Sequence, residues 1–305
     1  MRVLIAGCGY VGMVLAARLQ AAGHSVWGLR RRAFVVPAGV QALQADLGRS
    51  DLAAVLPPAL DAVVYAASAD ARTPAAYQAA YVAGLARLVD LLVRRGDALQ
   101  RLLFVSSTAV YGENAGGWVD ERSPCQPAGF TGEVLLAAEA AAAAAPWPSS
   151  VLRLGGIYGP GRTRLLRQVA SGVPCPAPET HWTNRIHRDD AAAALAHLLT
   201  LPALQPCYVG VDTAPVQRRV LWPWLRQALV AAGQMPEGGV AGTESVAAAA
   251  RAATALPAAT GKRCASDRLR HSGLTLQYPS FREGYGAMTA ALAPGALQLP
   301  SPSPA

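Results

Sequence analysis

Three glycines near the start of the chain have the spacing of a phosphate-binding turn. Gly7, Gly9 and Gly12 follow a short apolar run at residues 2–6 and precede an amphipathic segment at residues 13–22. In such a strand–turn–helix unit, the first glycine allows a tight turn, the second lets a pyrophosphate approach the backbone, and the third lets helix and strand pack closely. The pattern G-x-G-x-x-G alone is weak evidence, but its position after the first strand favours a dinucleotide site over a merely glycine-rich turn.

Arginines follow the second predicted strand, where a dinucleotide fold meets the adenosine ribose. Residues 24–29 run into Arg30, Arg31 and Arg32 without an acidic residue. An acid at this place selects a free 2′-hydroxyl, whereas arginine accommodates a 2′-phosphate. The sequence therefore predicts NADP(H) as the preferred cofactor and NAD(H) as the second choice. The alternative interpretation is a solvated run of charge.

Polar and small residues follow the predicted buried strands at the edge where α/β sheets bind ligands. The strand at residues 102–105 runs into SSTAVYG at residues 106–112, and the strands at residues 40–45 and 62–67 end beside Asp46 and Ala67. The predicted cofactor-binding residues are Gly7, Gly9, Tyr10, Val11, Gly12, Arg30, Arg31, Asp46, Leu47, Ala66, Ala67 and Ser106.

Composition excludes several classes of function. The 305 residues include 27 basic and 19 acidic ones, but the arginines are scattered and not interleaved with aromatic residues, which argues against nucleic-acid binding. No run of about 18 uncharged apolar residues indicates a membrane span, and the segment before Cys8 is too short for a lipoprotein signal. Five cysteines without a C-x-x-C pair predict reduced thiols, no metal site and a cytoplasmic location.

Alternating strands and helices predict an α/β fold, a Rossmann-type doubly wound parallel sheet with a small C-terminal α/β substrate lobe. Helical spacing at residues 74–95 places Tyr77 and Tyr81 in the core. Asp189 or Asp190 is expected to cap a helix at residues 191–199. The predicted units are an NAD(P)-binding domain at residues 1–211, a substrate-binding lobe at residues 212–291, and a disordered Pro- and Ala-rich tail at residues 292–305.

Five motifs together resemble the extended short-chain dehydrogenase/reductase family, in its NAD-dependent epimerase/dehydratase group. They are the N-terminal glycine turn, SSTAVYG at residues 106–112, RLGGIYGPGR at 153–162, RIHRDD at 185–190 and YPSFREGY at 278–285. The resemblance implies that Ser107 is a catalytic hydroxyl that hydrogen-bonds the substrate oxygen. It also implies that Arg162 meets a substrate phosphate, a surface arginine being the alternative.

The chain departs from that family at the general base. The family carries Tyr-x-x-x-Lys at the start of the helix after the fifth strand, and Thr131 and Leu135 occupy those two places here. An alkanol is a far weaker acid than a phenol of pKa about 10, and leucine cannot hold the nicotinamide ribose. The resemblance is therefore to an atypical subgroup that lacks the tyrosine–lysine dyad.

Candidate residues for the proton transfer are Tyr158, Tyr111, Thr131 and His187, each with packing as its alternative role; His187 is also a candidate substrate contact beside Arg162. The leading hypothesis is an NADP-dependent oxidoreductase that acts on a carbonyl or hydroxyl compound, with sugar- or nucleotide-linked compounds among the candidates. The second hypothesis is a non-catalytic NADP(H)-binding redox sensor. The third hypothesis is a nucleotide-sugar epimerase or dehydratase. The expected binding partner is a small-molecule substrate, and a homodimer is expected as an alternative to a monomer.

Overall fold

The computed structural model describes residues 1–236, 258–293 and 296–297. Its strands are β1 (Arg2–Ala6), β2 (Ser25–Arg30), β3 (Gln41–Gln44), β4 (Ala62–Tyr65), β5 (Arg101–Ser107), β6 (Ala115–Val119), β7 (Ser149–Leu154), β8 (Gly156–Tyr158), β9 (Trp182–Thr183), β10 (Arg185–His187), β11 (Cys207–Gly210), β12 (Val216–Gln217) and β13 (Gly261–Cys264). Its α-helices are α1 (Tyr10–Ala21), α2 (Leu52–Val55), α3 (Pro74–Tyr77), α4 (Gly84–Arg94), α5 (Phe130–Ala143), α6 (Arg164–Ala170), α7 (Arg188–Thr200), α8 (Arg218–Ala231), α9 (Asp267–His271) and α10 (Phe281–Ala290).

Seven strands form one parallel sheet in the order β11-β7-β5-β4-β1-β2-β3. The strand order reverses between β1 and β4, which pair in parallel from Val3 with Ala62 to Ala6 with Tyr65. In open α/β sheets, ligands bind outside the carboxyl ends of the strands at such a reversal. The predicted Rossmann-type doubly wound sheet is therefore confirmed, and the glycine turn lies at its switch point.

Helices cover both faces of this sheet. Leu15 of α1 and Leu195 of α7 are fully buried in the core on one face. Leu88 of α4 and Leu135 of α5 belong to the core on the other face. Because the central strands β1 and β4 are covered on both sides, they carry almost uninterrupted apolar residues, as expected of a buried parallel sheet.

The predicted helix at residues 74–95 is interrupted by a π-helical turn, Gln78–Ala83, between α3 and α4. The Gly84 N–H donates to the carbonyl of Ala79 five residues back, and the Tyr65 hydroxyl donates to the carbonyl of Ala80 at 2.5 Å. The run Pro74–Arg94 is long and apolar enough, by length and composition alone, to cross a membrane. Its α4 portion instead buries a leucine face against the sheet, as the helix of an α/β core does.

The smaller lobe is assembled from both halves of the chain. Three two-stranded sheets pair β6 with β13, β8 with β10, and β9 with β12, and a separate core joins Leu166 of α6 to Leu225 of α8 and Phe281 of α10. The lobe thus includes segments before residue 212, because β6, β8, β9 and α6 leave the main sheet to pack with C-terminal elements. Most of the predicted tail at residues 292–305 lies outside the described residues.

Asp189 and Asp190 lie in the first turn of α7 and do not have the predicted capping role. The helix begins at Arg188, and its N-cap is His187, which accepts a hydrogen bond from the Asp189 N–H. The buried carboxylate of Asp190 instead accepts the N–H groups of Gln277 at 2.7 Å and Tyr278 at 2.9 Å. Asp190 therefore joins the C-terminal segment to the sheet domain.

Candidate functional site

Only glycine fits at the first position of the glycine turn, residue 7. Gly7 has φ +97°, and a Cβ there would lie 2.2 Å from the nitrogen of Ala67. A Cβ at Gly12 would lie 3.0 Å from the Gly7 carbonyl oxygen and 3.1 Å from Cγ2 of Ile5. The close approach of the turn to the end of β4 and of α1 to β1 therefore explains the first and third glycines.

The N-terminus of α1 faces this turn without a side-chain cap. Gly9 is the N-cap residue and no side chain accepts a hydrogen bond from the first turn. The first amides of a helix lack intrahelical acceptors and carry the positive end of the helix dipole. These observations fit the pyrophosphate of a dinucleotide, which such amides bind.

One cleft of about 1020 Å³ opens at the switch point. It is lined by the twelve predicted cofactor-binding residues from Gly7 to Ser106, and by Ser107 and Arg162. Small-molecule sites commonly have about 300–1,000 Å³. The cleft therefore has room for a dinucleotide together with the reacting part of a substrate.

The arginines at the end of β2 line the cleft but are not free of carboxylates, contrary to the sequence prediction. Asp70, in the loop after β4, forms an ion pair with Arg31, and Asp46 also lines the cleft. The Arg31 and Asp70 side chains are 47% and 63% exposed, so water screens the attraction between their charges and the pair is weak. The Arg30 guanidinium lies over the ring of Phe34 at 5.1 Å, and Arg30 lines the cleft.

A buried ion pair lies beneath the cleft floor. Arg153 of β7 and Glu139 of α5 are bridged by hydrogen bonds of 2.7 to 3.2 Å, and Ser106 donates to Glu139 at 2.6 Å. Arg153 also donates to the Tyr111 hydroxyl at 2.9 Å. Burial raises the pKa of Tyr111 far above its ordinary value, against the smaller lowering effect of Arg153. Tyr111 is 2% exposed and does not line the cleft, so its placement indicates packing rather than the proposed proton transfer.

Ser107 remains at the cleft with its hydroxyl partly engaged. Its Oγ accepts the N–H of Ala109 at 3.2 Å and thereby caps the short 3₁₀ turn Thr108–Val110. The hydroxyl can still donate a hydrogen bond. Thr131 lies in the first turn of α5 outside the residues that line the cleft, whereas Leu135 one turn later lines it. The position at which the family resemblance predicts a lysine therefore lies at the cleft with an apolar side chain.

Tyr158 and His187 lie in an aromatic cluster of the lobe rather than in the cleft. The Tyr158 ring stacks on Tyr285 at 4.4 Å, and the His187 ring lies 3.9 Å from that of Tyr278. Burial raises the pKa of Tyr158 and lowers that of His187. The Tyr158 hydroxyl donates to the Ser280 carbonyl at 3.4 Å. Their placement disfavours both residues as stand-in acids in the cleft and His187 as a substrate contact there.

Asp212 is a buried acid beside the same cluster. Its Oδ1 accepts the Ala214 N–H at 3.1 Å, while Oδ2 has no hydrogen-bond partner among the described residues. Burial raises the pKa of Asp212 to about 7, since the Ala214 amide and the Arg185 guanidinium offset that effect only in part. The sequence analysis did not single out this residue, because its strand-end position carries no chemical motif.

A second cavity of about 750 Å³ shares Ile157 and Arg162 with the cleft. Its lining includes Arg164 and Arg167 of α6, together with Tyr158 and Tyr285, and no acidic residue. Arg162 stacks over the Tyr10 ring at 4.1 Å and donates to the Ile157 carbonyl at 3.0 Å. The cluster of arginines gives this cavity a positive lining next to the cleft.

Tyr81 has a second role that the sequence pattern did not predict. It packs against the core, as predicted, but it also lies on the π-helical turn and lines the cleft. A helical repeat of 3.6 residues does not allow for the extra residue of a π turn. Within the described ranges, no group of three or more His, Cys, Asp or Glu side chains could hold a metal ion.

Comparisons with known proteins agree with this architecture. A sequence model of the NAD dependent epimerase/dehydratase family matches residues 3–208. Protein YeeZ of Escherichia coli K12 is 31% identical over 235 residues, which cover 75% of this chain and 84% of YeeZ. The structure of a protein assigned as an NAD-dependent epimerase/dehydratase from Methylobacillus flagellatus is 38% identical, with a TM-score of 0.77, and the match covers 95% of this chain and 98% of that one.

A more distant structure shows the same fold with a cofactor. The human epimerase family protein SDR39U1, solved with NADPH, has a TM-score of 0.71 at 19% identity and covers 96% of this chain and 100% of its own. The glycine turn at the switch point, the strand order and the matched residues 3–208 lead to one conclusion. The chain belongs to the NAD dependent epimerase/dehydratase family.

Proposed function

We propose that this protein is an NADP(H)-dependent oxidoreductase that acts on the carbonyl or hydroxyl group of a small anionic compound. The observation that carries the cofactor choice is the position of Arg30, at the end of β2 and on the cleft lining. A charge-assisted hydrogen bond to a phosphate contributes about 1.5–3 kcal/mol. Arg31 can contribute when the 2′-phosphate displaces Asp70 from their exposed ion pair.

The cofactor, when bound, supplies or accepts a hydride at the nicotinamide ring. The chain's own part is to bind and to orient. The amides at the start of α1 would hold the pyrophosphate, Arg30 would bind the 2′-phosphate, and Ser107 would donate a hydrogen bond to the substrate oxygen. Leu135 excludes water from the place where the family's lysine would stand.

The substrate's anionic group is inferred from the second cavity. Arg164 and Arg167 line it without an acidic neighbour, and Arg162 lies where it joins the cleft. A carboxylate or phosphate is the group that arginine forks recognise. Sugar- and nucleotide-linked compounds carry such a group next to oxidisable hydroxyls, which supports them as the substrate class.

The cofactor proposal is tested by titrating NADPH and NADH separately against the quenching of protein fluorescence. NADPH is expected to bind at least tenfold tighter, since about 1.4 kcal/mol corresponds to a factor of ten. The variant Arg30→Ala should lose most of this preference and leave NADH binding unchanged. Arg94→Ala is a matched control, because Arg94 is exposed at the end of α4 and outside the cleft. Equal dissociation constants for both cofactors in the wild type would refute the preference.

A non-catalytic NADP(H)-binding protein is the second candidate, which the apolar Leu135 at the cleft favours. Consumption of NADPH against a panel of aldehydes and ketones, with and without a phosphate group, separates the two. Turnover above the buffer rate that falls in Ser107→Ala, with NADPH binding retained, supports the oxidoreductase. Tight NADPH binding without turnover on any member of the panel supports the binding protein.

The thiols support a cytoplasmic location for the proposed enzyme. All five cysteines are free, and Cys8, Cys207 and Cys264 are buried. Disulfides are rare in reducing compartments. Alkylation of the denatured protein without reductant should add five labels by mass, and fewer labels in freshly purified protein would contradict this proposal.

A further inference from the structure

Tyr81 places a phenol at the cleft from a π-helical turn. It belongs to the π-helical turn Gln78–Ala83 and lines the cleft together with Ala79 and Ala80. π-Helical turns are rare and often occur at functional sites. This turn is held in place by the Tyr65 hydroxyl, which donates to the carbonyl of Ala80 at 2.5 Å.

A chain of aromatic contacts connects Tyr81 to the start of α5. The Tyr81 ring lies 5.2 Å from that of Tyr77, and Tyr77 lies 5.4 Å from the ring of Phe130. Phe130 immediately precedes Thr131, which stands in the place of the family's tyrosine. Tyr81 and Leu135 both line the cleft. Tyr81 thus brings a phenol to the cleft lining, from which Thr131 is absent.

The hydroxyl of Tyr81 is better suited to proton transfer than that of Tyr10, which also lines the cleft. The Tyr10 hydroxyl donates its proton to the Pro160 carbonyl at 2.9 Å. Burial, followed by the neighbouring Tyr77, raises the pKa of Tyr81, and the backbone of Ala69 offsets part of that effect. A phenol carries its proton at neutral pH even at its ordinary pKa of about 10.

We propose that Tyr81 is the catalytic acid of the cleft and replaces the tyrosine lost at position 131. This inference rests on the proposed function. In the reduction of a carbonyl, a hydride from the reduced nicotinamide forms the new C–H bond and the carbonyl π electrons move to oxygen. That oxygen takes the phenol proton of Tyr81, while Ser107 donates a hydrogen bond to it; the phenolate then recovers a proton from water. In the reverse direction the phenolate accepts the proton of the substrate hydroxyl.

The first test compares Tyr81→Phe with Tyr77→Phe, which removes a phenolic hydroxyl from the same aromatic cluster outside the cleft lining. NADPH-dependent reduction of 4-carboxybenzaldehyde, which carries the proposed anionic group, is the probe. Tyr81→Phe should lower kcat at least a hundredfold, within the range of about 10²–10⁴ for a positioned acid, and leave the NADPH dissociation constant within about twofold. Tyr77→Phe should retain most of the rate. Equal rates in wild type and Tyr81→Phe would overturn the proposal.

The second test does not depend on turnover. With tyrosine labelled by ¹³C at Cζ, the resonance absent from Tyr81→Phe identifies this phenol, and its titration is followed with saturating NADP⁺ or NADPH. A phenol at the reacting end faces the cationic ring of NADP⁺ and should titrate about one pH unit lower than with NADPH. The titratable groups near it, Tyr77 on the same helical run and Tyr65 on β4, are equal in both samples.

Identical titration with the two cofactors would place Tyr81 away from the nicotinamide and overturn its catalytic role, whatever the turnover. A cofactor-dependent shift together with lost turnover in Tyr81→Phe supports it. A wild type that shows the shift but reduces no carbonyl refutes the oxidoreductase function, and with it the acid role of Tyr81. Failure of the proposed function is thus distinguished from failure of the Tyr81 assignment alone.

Discussion

The two ends of the cleft are built on different principles. At the pyrophosphate end, backbone geometry supplies the recognition: Gly7 adopts a positive φ, and the amides of α1 face the turn. At the proposed reacting end, side chains decide the chemistry, and the cleft lining offers the apolar Leu135 and the hydroxyl of Ser107. Backbone-based recognition tolerates few substitutions, whereas side-chain chemistry can be lost at one helix and regained from its neighbour without changing the fold.

The largest expected effect is a loss of unfolding free energy when the buried ion pair of Glu139 and Arg153, below the reacting end, is broken. Their side chains are only 8% and 9% exposed. Glu139→Gln leaves the Arg153 charge buried without its partner, which costs about 3–5 kcal/mol. Urea unfolding followed by circular dichroism measures this loss. The exposed pair of Arg122 and Asp120 provides the control, because Arg122 is 84% exposed and Arg122→Met should cost less than about 1 kcal/mol. Similar losses of unfolding free energy in both variants would show that the buried ion pair stabilises the fold no more than an exposed one.

The pyrophosphate end is tested by Gly7→Ala. The new Cβ would lie 2.2 Å from the Ala67 nitrogen. The turn must therefore shift away from β4, and the N–H groups at the start of α1 no longer point at the pyrophosphate. We expect NADPH affinity to fall at least a hundredfold, or about 2.7 kcal/mol. Gly96→Ala separates backbone strain from collision, because Gly96 also has a positive φ of +72° but nothing within 4 Å of a Cβ. If Gly7→Ala and Gly96→Ala bind NADPH with equal affinity, the explanation that backbone geometry at the glycine turn recognises the pyrophosphate is wrong.

The lobe behind the reacting end should make stability depend on pH through Asp212. Its folded pKa of about 7 lies above the unfolded value near 3.9. The folded state therefore binds the proton more tightly, so this stabilising contribution is complete below pH about 4 and is lost as the pH rises to about 7. Asp212→Asn keeps an oxygen for the Ala214 N–H and should gain about 2 kcal/mol relative to wild type between pH 5 and pH 8. Thermal unfolding at both pH values measures it, and parallel pH profiles for the two proteins would contradict this titration.

The smallest effect is expected from Tyr111→Phe. The change removes one hydrogen bond from Arg153, which retains its contacts with Glu139, and should cost about 1 kcal/mol of unfolding free energy. Turnover should remain within about twofold, far below the 10²–10⁴-fold loss expected for a general acid. A hundredfold loss of turnover with stability unchanged would return Tyr111 to the list of catalytic residues and revise the comparison between the two ends.

Sequence reasoning identified the pyrophosphate end because its requirements are local. Gly7 and Gly12 follow from strand, turn and helix in succession, and hydrophobic runs specify the parallel sheet. The twelve predicted cofactor-binding residues line one cleft because they lie at strand ends that a doubly wound sheet brings together.

The reacting end required contacts that no local pattern encodes. Asp70 reaches Arg31 across 39 positions of the chain, and Tyr81 lines the cleft from a π turn that regular helical spacing does not predict. Tyr111, Tyr158 and His187 were attractive by residue type, yet all three are nearly fully buried in packed clusters away from the cleft lining. Residue type indicates capacity for chemistry, and only the tertiary structure decides access.

The pairing of β6 with β13 also determines when the lobe can form during protein synthesis. Val119 and Cys264 are paired in register, and ribosomes add about 5–20 residues per second. The partner of Val119 therefore emerges about 7–30 s later. Strands β1 to β5, which surround the switch point, have all been synthesised by Ser107. A nascent chain can consequently shape the pyrophosphate end, and meet a cofactor there, well before the lobe beside the reacting end has its last strand.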